Sequence, residues 1–536
     1  MKIALAQLNL TVGNTAANAA KILAAYRDTV AQGADLVLTP ELSLSGYQLE
    51  DMVAQNGFCE SVWAAAQNLA AQTGNAGLVI GLPVRDGDKI YNAAALLADG
   101  KIQTVQYKHA LANYGVYDEC RYFTPGPLPS VIDFRGRKLG MMICEDFWHS
   151  DVPQHLAQQG AEIYLSINGS VVDGIDRNLV RHGIAAERAQ FAKIPFVYCN
   201  LIGGRDEDVF DGASFALDRA GKLVGQAPRF QEFLGLVDWR ADGIGSNLPK
   251  LDLSTPVEAD YYAACTLALR DYVHKSGFQS VLLGVSGGVD SALVAAIAVD
   301  ALGADHVRAV MLPSPYTSQA SLDDAYALAK NLGIKLSTIP IGAMVELVGR
   351  EIDTNTGITP SGLAHENLQS RLRGLTLMTL SNQTGALLLT TGNKSELAVG
   401  YATLYGDMCG AFNPIKDLYK GQVYKLCHWR NTQGRGEIPA RILTRAPSAE
   451  LRPNQTDQDS LPPYDTLDGI LHLYLEGQQS PAQIAAHGYD AALVARVIGM
   501  VDRAEYKRRQ AAPGPKLSPR AFGRDRRWPL NIGQSV

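Results

Sequence analysis

Three polar residues stand where apolar runs end in the first third of the chain: Glu41 after DLVLTP, Lys108 after TVQY, and Cys144 after KLGMMI. A cysteine thiolate is a strong nucleophile but needs a group to take its proton. A carboxylate raised by burial can be that base, and a nearby ammonium favours the thiolate and stabilises an oxyanion. The ordinary alternative is that a cysteine in MMIC is a small buried hydrophobe. The sequel ICEDFW is too polar for a plain core strand, since Glu145, Asp146 and Trp148 follow Cys144 closely. Spacing alone does not bring the three together, so they stand as a candidate nucleophile, base and oxyanion partner.

A second set is compact. In GVSGGVDSAL, residues 284–293, an apolar run leads into glycines and hydroxyls and then into an apolar helical run. Gly287 and Gly288 permit a tight turn with close backbone approach, and Ser286 and Ser291 can donate to phosphate oxygens. A helix starting near Asp290 adds its N-terminal dipole. The Lys of the common nucleotide-triphosphate loop is missing, so nothing here specifies transfer of a terminal phosphate. Asp290 can face phosphate only with a divalent cation between them.

Two element rhythms must position these sets. Up to about residue 240, apolar strands such as KIALAQLNL, AGLVIGLPV and AEIYLSING alternate with Ala-rich helical stretches, one over 16–32, and SFALDRAGKLVGQA reads as a hairpin. This suggests layered sheets faced by helices. Gly, Pro, Asp and Ser then thicken, giving an expected linker at 241–262 between domains at 1–240 and 263–536. Beyond it, strands VLLGV, HVRAVMLP, IKLSTIPI and GALLLTTG alternate with helical runs, the order of a mainly parallel sheet with helices on both faces.

Composition bounds the rest. A chain of 536 residues, 46% hydrophobic and 19% charged, is a multi-domain globular composition. A net charge of −6 argues against indiscriminate polyanion binding. Seven cysteines without a CxxC pair favour neither a disulfide framework nor a zinc module and point to the cytosol. The start reads as a strand rather than a signal peptide, and no apolar run is long enough for a bilayer. The basic run at 507–528 reads as a solvated tail, as a nucleic-acid arm without the usual aromatic interleaving, or as a loop over an active site.

The residues around the first trio carry a resemblance. PELSLSGY, YKHALANYGVYDECRYFTPG and MICEDFW are similar to segments of the carbon–nitrogen hydrolases, the nitrilase-like amidases. That resemblance implies a four-layer αββα domain with Glu41 as base and acid, Lys108 beside the carbonyl and Cys144 forming a thioester. It implies Glu119 as a second acid by the triad and Tyr114 in a glutamine pocket. One departure is NGSVVDG at 168–174, where relatives often carry a proline after the serine.

SGGVDS resembles the signature of the N-type ATP pyrophosphatases, which split ATP between its α and β phosphates. The segments ENLQSRLRG, LLLTTGNKSELAVGYATLYGDMCGAFNPIKDLYK and PPYDTLDGIL are similar to the glutamine-dependent NAD synthetases, in the same domain order. That resemblance implies a doubly wound, mainly parallel-sheet synthetase domain. ATP, glutamine and nicotinic acid adenine dinucleotide would be substrates, with Mg²⁺ held by Asp290 and Glu396. Thr391 and Gly392 would approach the nucleotide and Lys420 the transferring phosphate. Tyr401, Thr403 and Asp407 would shape the dinucleotide site, with Asn367, Arg373 and Asp457 near it and Lys516 and Arg520 contacting substrate phosphate. Plain alternatives stand beside these: Glu396 as a helix-start acid, Lys420 as a solvated charge, Arg373 as an ion-pair partner. A homo-oligomer with a dimer contact through the second domain, and no nucleic-acid or membrane partner, is expected. Another amidotransferase of the ATP-pyrophosphatase class, or a scaffold of this architecture without activity, remain the rival readings.

Overall fold

Successive residues of the strand Lys2–Gln7 serve two different cores. Ile3 and Leu5 lie in one and Ala4 and Ala6 in another, as a side-chain period of two requires. The strand Leu36–Leu38 repeats the pattern, with Val37 facing away from Leu36 and Leu38. Strands buried on both faces read as continuous apolar runs rather than alternating ones. The structure, a computed structural model, describes residues 1–174, 177–250, 255–434 and 436–531. Its contacts divide into two units, Met1–Gly203 with Val209–Thr255, and Gly204–Asp208 with Pro256–Val536.

In the first unit a seven-stranded sheet runs Ile244–Ser246, Phe233–Trp239, Lys2–Gln7, Leu36–Leu38, Gly77–Asp86, Lys89–Ala98, Lys101–Tyr107. A six-stranded sheet has Phe196–Asn200, Ile163–Asn168 and Arg137–Ile143 at its centre. Ile3, Leu5 and Leu38 meet Met141, Ile143 and Leu165 between the sheets. Outside the first sheet, Ala4, Val37 and Leu78 pack on Ile22 of helix Thr15–Ala31 and Ala66 of helix Phe58–Ala70. Outside the second, Met142 and Tyr164 pack on Leu156 and Ala185 of helices Asp151–Gln158 and Arg177–Ala192. Three cores in series make the four αββα layers.

The second unit is built on a parallel sheet in the order Lys335–Thr338, Val307–Met311, Val281–Gly284, Leu387–Leu389. The chain winds outward from Val281–Gly284 in one direction and returns on its other side. The carboxyl end of that strand is therefore a topological switch point, where doubly wound sheets open a crevice. The helix that follows, Val289–Leu302, is buried over Val289 and Ser291–Ala298, which explains why SALVAAIAV has no polar face. A helical lobe over 394–503 packs around Leu467, Ile470, Val497 and Val501.

The 241–262 segment is less open than its composition suggests. It holds the strand Ile244–Ser246, paired with Phe233–Trp239, and the start of helix Val257–Lys275; its residues 251–254 lie outside the described residues. The basic run is no solvated tail. Arg508 and Arg526 are buried on Glu505, and Lys516 on Asp525 at 2.7 Å. Among the described residues no helix is long and apolar enough to cross a membrane.

Candidate active sites

Glu41, Lys108 and Cys144 sit at the ends of three strands. Lys108 directly follows Lys101–Tyr107 and Cys144 directly follows Arg137–Ile143, while Glu41 opens the turn beyond Leu36–Leu38. That turn lies on Gly81, where a Cβ would come within 2.1 Å of Leu42 N. Only glycine lets it approach so closely. Cys144 has φ +45°, a left-handed conformation rare outside glycine, and starts the tight turn Cys144–Phe147.

The structure brings these residues together with Glu119. Lys108 Nζ donates to Glu41 Oε1 at 2.7 Å and to Glu119 Oε1 and Oε2 at 2.9 and 2.7 Å. Glu41 also accepts from Asn92 Nδ2 at 2.7 Å and from the Gly169 N–H at 2.8 Å. Glu41 and Lys108 are 0% exposed. Burial lowers the Lys108 ammonium, but Glu119 and Glu41 override it and hold it well above its ordinary value. Burial raises the Glu119 carboxyl against the pull of Lys108. Burial and the Glu41 charge push the Cys144 thiol well up, opposed by Lys108. The resting thiol keeps its proton and needs a base at the moment of attack. Tyr114 donates to Glu145 Oε2 at 2.9 Å and stays 44% exposed, so it can line an opening onto the residue beside Cys144.

In the second unit the switch point opens onto a cavity of ≈ 290 Å³. The loop Ser286–Ser291 forms one wall. Gly287 has φ +78°, and a Cβ there would meet Ser321 O at 2.4 Å. Helix Val289–Leu302 has no side-chain cap, so its first N–H groups remain for a ligand. Opposite stand Thr391 and Gly392, beyond the strand Leu387–Leu389, with Glu396.

Lys420 is 2% exposed and reaches Asp290 at 2.5 Å and Glu396 at 3.1 Å, so it is no solvated charge. Burial and the neighbouring Asp290 and Asp457 push the Glu396 carboxyl up to about 8 against the pull of Lys420. Asp290 and Glu396 hold the Lys420 ammonium above its ordinary value, overriding burial. Glu396 is also a helix-start acid, paired with Asn393 in a reciprocal cap. Asp457 accepts from Tyr464 at 2.8 Å and faces the same ammonium.

Arg373, Tyr401 and Asp407 line the cavity. Arg373 Nε donates to Leu312 O at 3.0 Å. Asp407 accepts from the Thr403 N–H, and the Thr403 hydroxyl donates to Asn367 at 2.9 Å. Thr403 and Asn367 thus support the wall rather than form it. Lys516 is also absent from the wall. Its ammonium is buried on Asp525 and Ser518 O, and Arg520 O accepts from Lys394.

The roles of three residues escaped the sequence. Asn92 bridges Glu41 and Glu119, Asp146 joins two loops, and Asn393 holds Asp290 at 2.9 Å. An asparagine inside the apolar run YNAAALLA was the available signal for the first.

Residues 2–246 match the carbon-nitrogen hydrolase family and residues 261–511 match NAD synthase. The chain is 48% identical over 546 residues to the glutamine-dependent NAD(+) synthetase of Rhodobacter capsulatus, covering 99% of this chain and 98% of that one. It is 45% identical to the protein of the same name from Xanthomonas campestris pv. campestris, over 100% and 98%. The solved glutamine-dependent NAD+ synthetase of Acinetobacter baumannii, in complex with adenosine diphosphate, superposes with a TM-score of 0.80 at 40% identity, covering 99% and 98%.

Proposed function

This chain belongs to the glutamine-dependent NAD(+) synthetases, and we propose that its two sites divide the reaction as follows. In the first unit, Cys144 Sγ attacks the carboxamide carbon of glutamine while Glu41 takes the thiol proton. Lys108, held by both carboxylates, stabilises the developing oxyanion. Glu41 returns the proton to nitrogen, the C–N bond breaks and ammonia leaves. Water then attacks the thioester, freeing glutamate and the thiol. Glu119 keeps Lys108 charged, and Tyr114 borders the glutamine entry.

In the second unit, a carboxylate oxygen of nicotinic acid adenine dinucleotide attacks the α phosphorus of ATP. Pyrophosphate leaves into the Ser286–Ser291 loop. Ammonia attacks the acyl carbon of the adenylate, and AMP departs as NAD forms. Asp290, Glu396 and Asp457 gather around the Lys420 ammonium. Lys420 bridges Asp290 and Glu396 as a cation between them. Asp290 and Glu396 both line the cavity, and Mg²⁺ takes one or two carboxylates and fills its shell with phosphate oxygens and water. Asp290 and Glu396 are the residues that would hold it. Bound there, the ion would offset charge on the departing pyrophosphate. Arg373, Tyr401 and Asp407 border the dinucleotide, with Asn367 and Thr403 behind them. The enzyme works in the cytosol, as its unpaired cysteines favour.

The observation that most supports this division is the loop at the switch point, which pairs free helix N–H groups with a carboxylate where a terminal-phosphate loop has lysine. Product analysis tests it. With ATP, Mg²⁺, glutamine and nicotinic acid adenine dinucleotide, the products should be NAD, glutamate, AMP and pyrophosphate. ADP and phosphate in their place, or no AMP release with this acceptor, would overturn it.

A further inference from the structure

The carboxylate of Asp146 is 0% exposed and, among the described residues, makes no ion pair. It binds backbone instead. Oδ1 accepts from the N–H groups of His109 at 3.0 Å and Ala110 at 2.8 Å, and Oδ2 accepts from Ile143 N–H at 3.0 Å. His109 and Ala110 directly follow Lys108, and Ile143 directly precedes Cys144. The two strands that end here belong to different sheets.

Part of this has an ordinary explanation. The bond to Ile143 N–H belongs to the cap of the Cys144–Phe147 turn, and a cap needs no more. The two bonds to a loop 36 and 37 residues away exceed it. A buried charge is costly to keep. Burial raises this carboxyl to about 6, and the three N–H groups and the Lys108 charge pull it back. An amide could not replace it, because one of its two ends would turn N–H groups against backbone N–H. Both oxygens must accept, and only a carboxylate does that here.

We propose that Asp146 is a positioning residue for the glutamine half-reaction: it ties the backbone after Lys108 to the backbone before Cys144 and so sets the nucleophile against the ammonium and the base. The inference rests on the reading of Cys144 as nucleophile. It explains how Cys144 holds its left-handed φ, since the N–H just before it is fixed from the side chain two residues after it.

The full-length enzyme gives three readouts from one preparation. These are glutamate release from glutamine, synthesis with an ammonium salt, and the rate at which iodoacetamide alkylates Cys144, followed by peptide mass. In Asp146→Asn, kcat with glutamine should fall about 100-fold with KM changed less than about threefold, because misplacement strikes the reacting atoms and not the bound amino acid. Alkylation of Cys144 should slow about tenfold, and synthesis from ammonium should stay within about twofold. Asp146→Ser, smaller than the native side chain, must show the same split if the asparagine variant does not fold. The proposal is overturned if kcat and alkylation stay within about twofold of the parent. It is equally overturned if both variants lose glutamine affinity and melt early, which is the mark of a purely structural acid. Cys144→Ala separates the two claims. If it still releases glutamate, the nucleophile reading fails. If it is inactive while Asp146→Asn is normal, only the positioning role fails.

Discussion

Cys144 and Asp290 carry different half-reactions, so their variants should fail differently. Cys144→Ala removes the nucleophile, and synthesis from glutamine should drop at least about 10³-fold while synthesis from ammonium survives. Asp290→Ala should depress synthesis from either nitrogen source about 100-fold or more, leaving glutamate release measurable. Equal loss with glutamine and ammonium in Cys144→Ala, or unimpaired synthesis from ammonium in Asp290→Ala, would break this assignment. Glu396 gives a pH signature. The fold raises its carboxyl to about 8, so the folded state keeps a proton that the unfolded chain has released above its ordinary range. That contribution is fully present below the ordinary carboxylate range and is lost as pH rises through about 8. The ligand-free enzyme should therefore melt lower at high pH than at mildly acidic pH. Glu396→Gln should flatten the slope and raise the high-pH melting temperature by about 2–4 °C. Scanning calorimetry across pH reads this directly, and an unchanged slope in the variant would refute it.

At the scale of elements, two glycines let loops lie where chemistry needs them, for separate reasons. Gly287→Ala puts a Cβ at 2.4 Å from Ser321 O in a residue with φ +78°. The Ser286–Ser291 loop must then move, and synthesis from both nitrogen sources should fall with glutamate release intact. Gly81→Ala drives a Cβ to 2.1 Å from Leu42 N, displacing the turn of Glu41, so only the glutamine reaction should fail. Each costs about 1–3 kcal/mol of strain, and steady-state assays with the two nitrogen sources tell them apart. The sequence made the Ser286–Ser291 loop legible because strand, glycines and helix follow one another within ten residues. The trio was less so, because Glu41, Lys108 and Cys144 meet only through two sheets packed face to face, which no local spacing records. Gly81 and the backbone role of Asp146 were not legible. One looks like any strand glycine and the other like any acid after a strand, until the partner loops are in place. Lys516 shows the reverse: basic and near a substrate motif, it folds onto Asp525.

At the scale of the whole molecule, helices Gly342–Thr356 and Leu363–Thr384 raise a question of partnership. Val345, Leu372 and Leu377 turn inward and account for their packing on the sheet. Their outer sides should be polar, yet Leu347, Leu363 and Leu375 are exposed, as is Ile358 in the connection between the helices. Scattered single apolar residues need no explanation, but several on neighbouring helices make this the face on which to test for a partner. We infer that a second copy of this chain covers it, since a two-fold contact requires only one self-complementary patch. The net charge of −6 does not oppose such a contact when its centre is apolar. Leu375→Glu then buries two like charges in that interface, one from each copy, and should shift the sedimentation coefficient toward the single chain. Glutamate release from the first unit should stay unchanged. If the variant sediments as the parent does at micromolar concentration, this face is not the dimer contact.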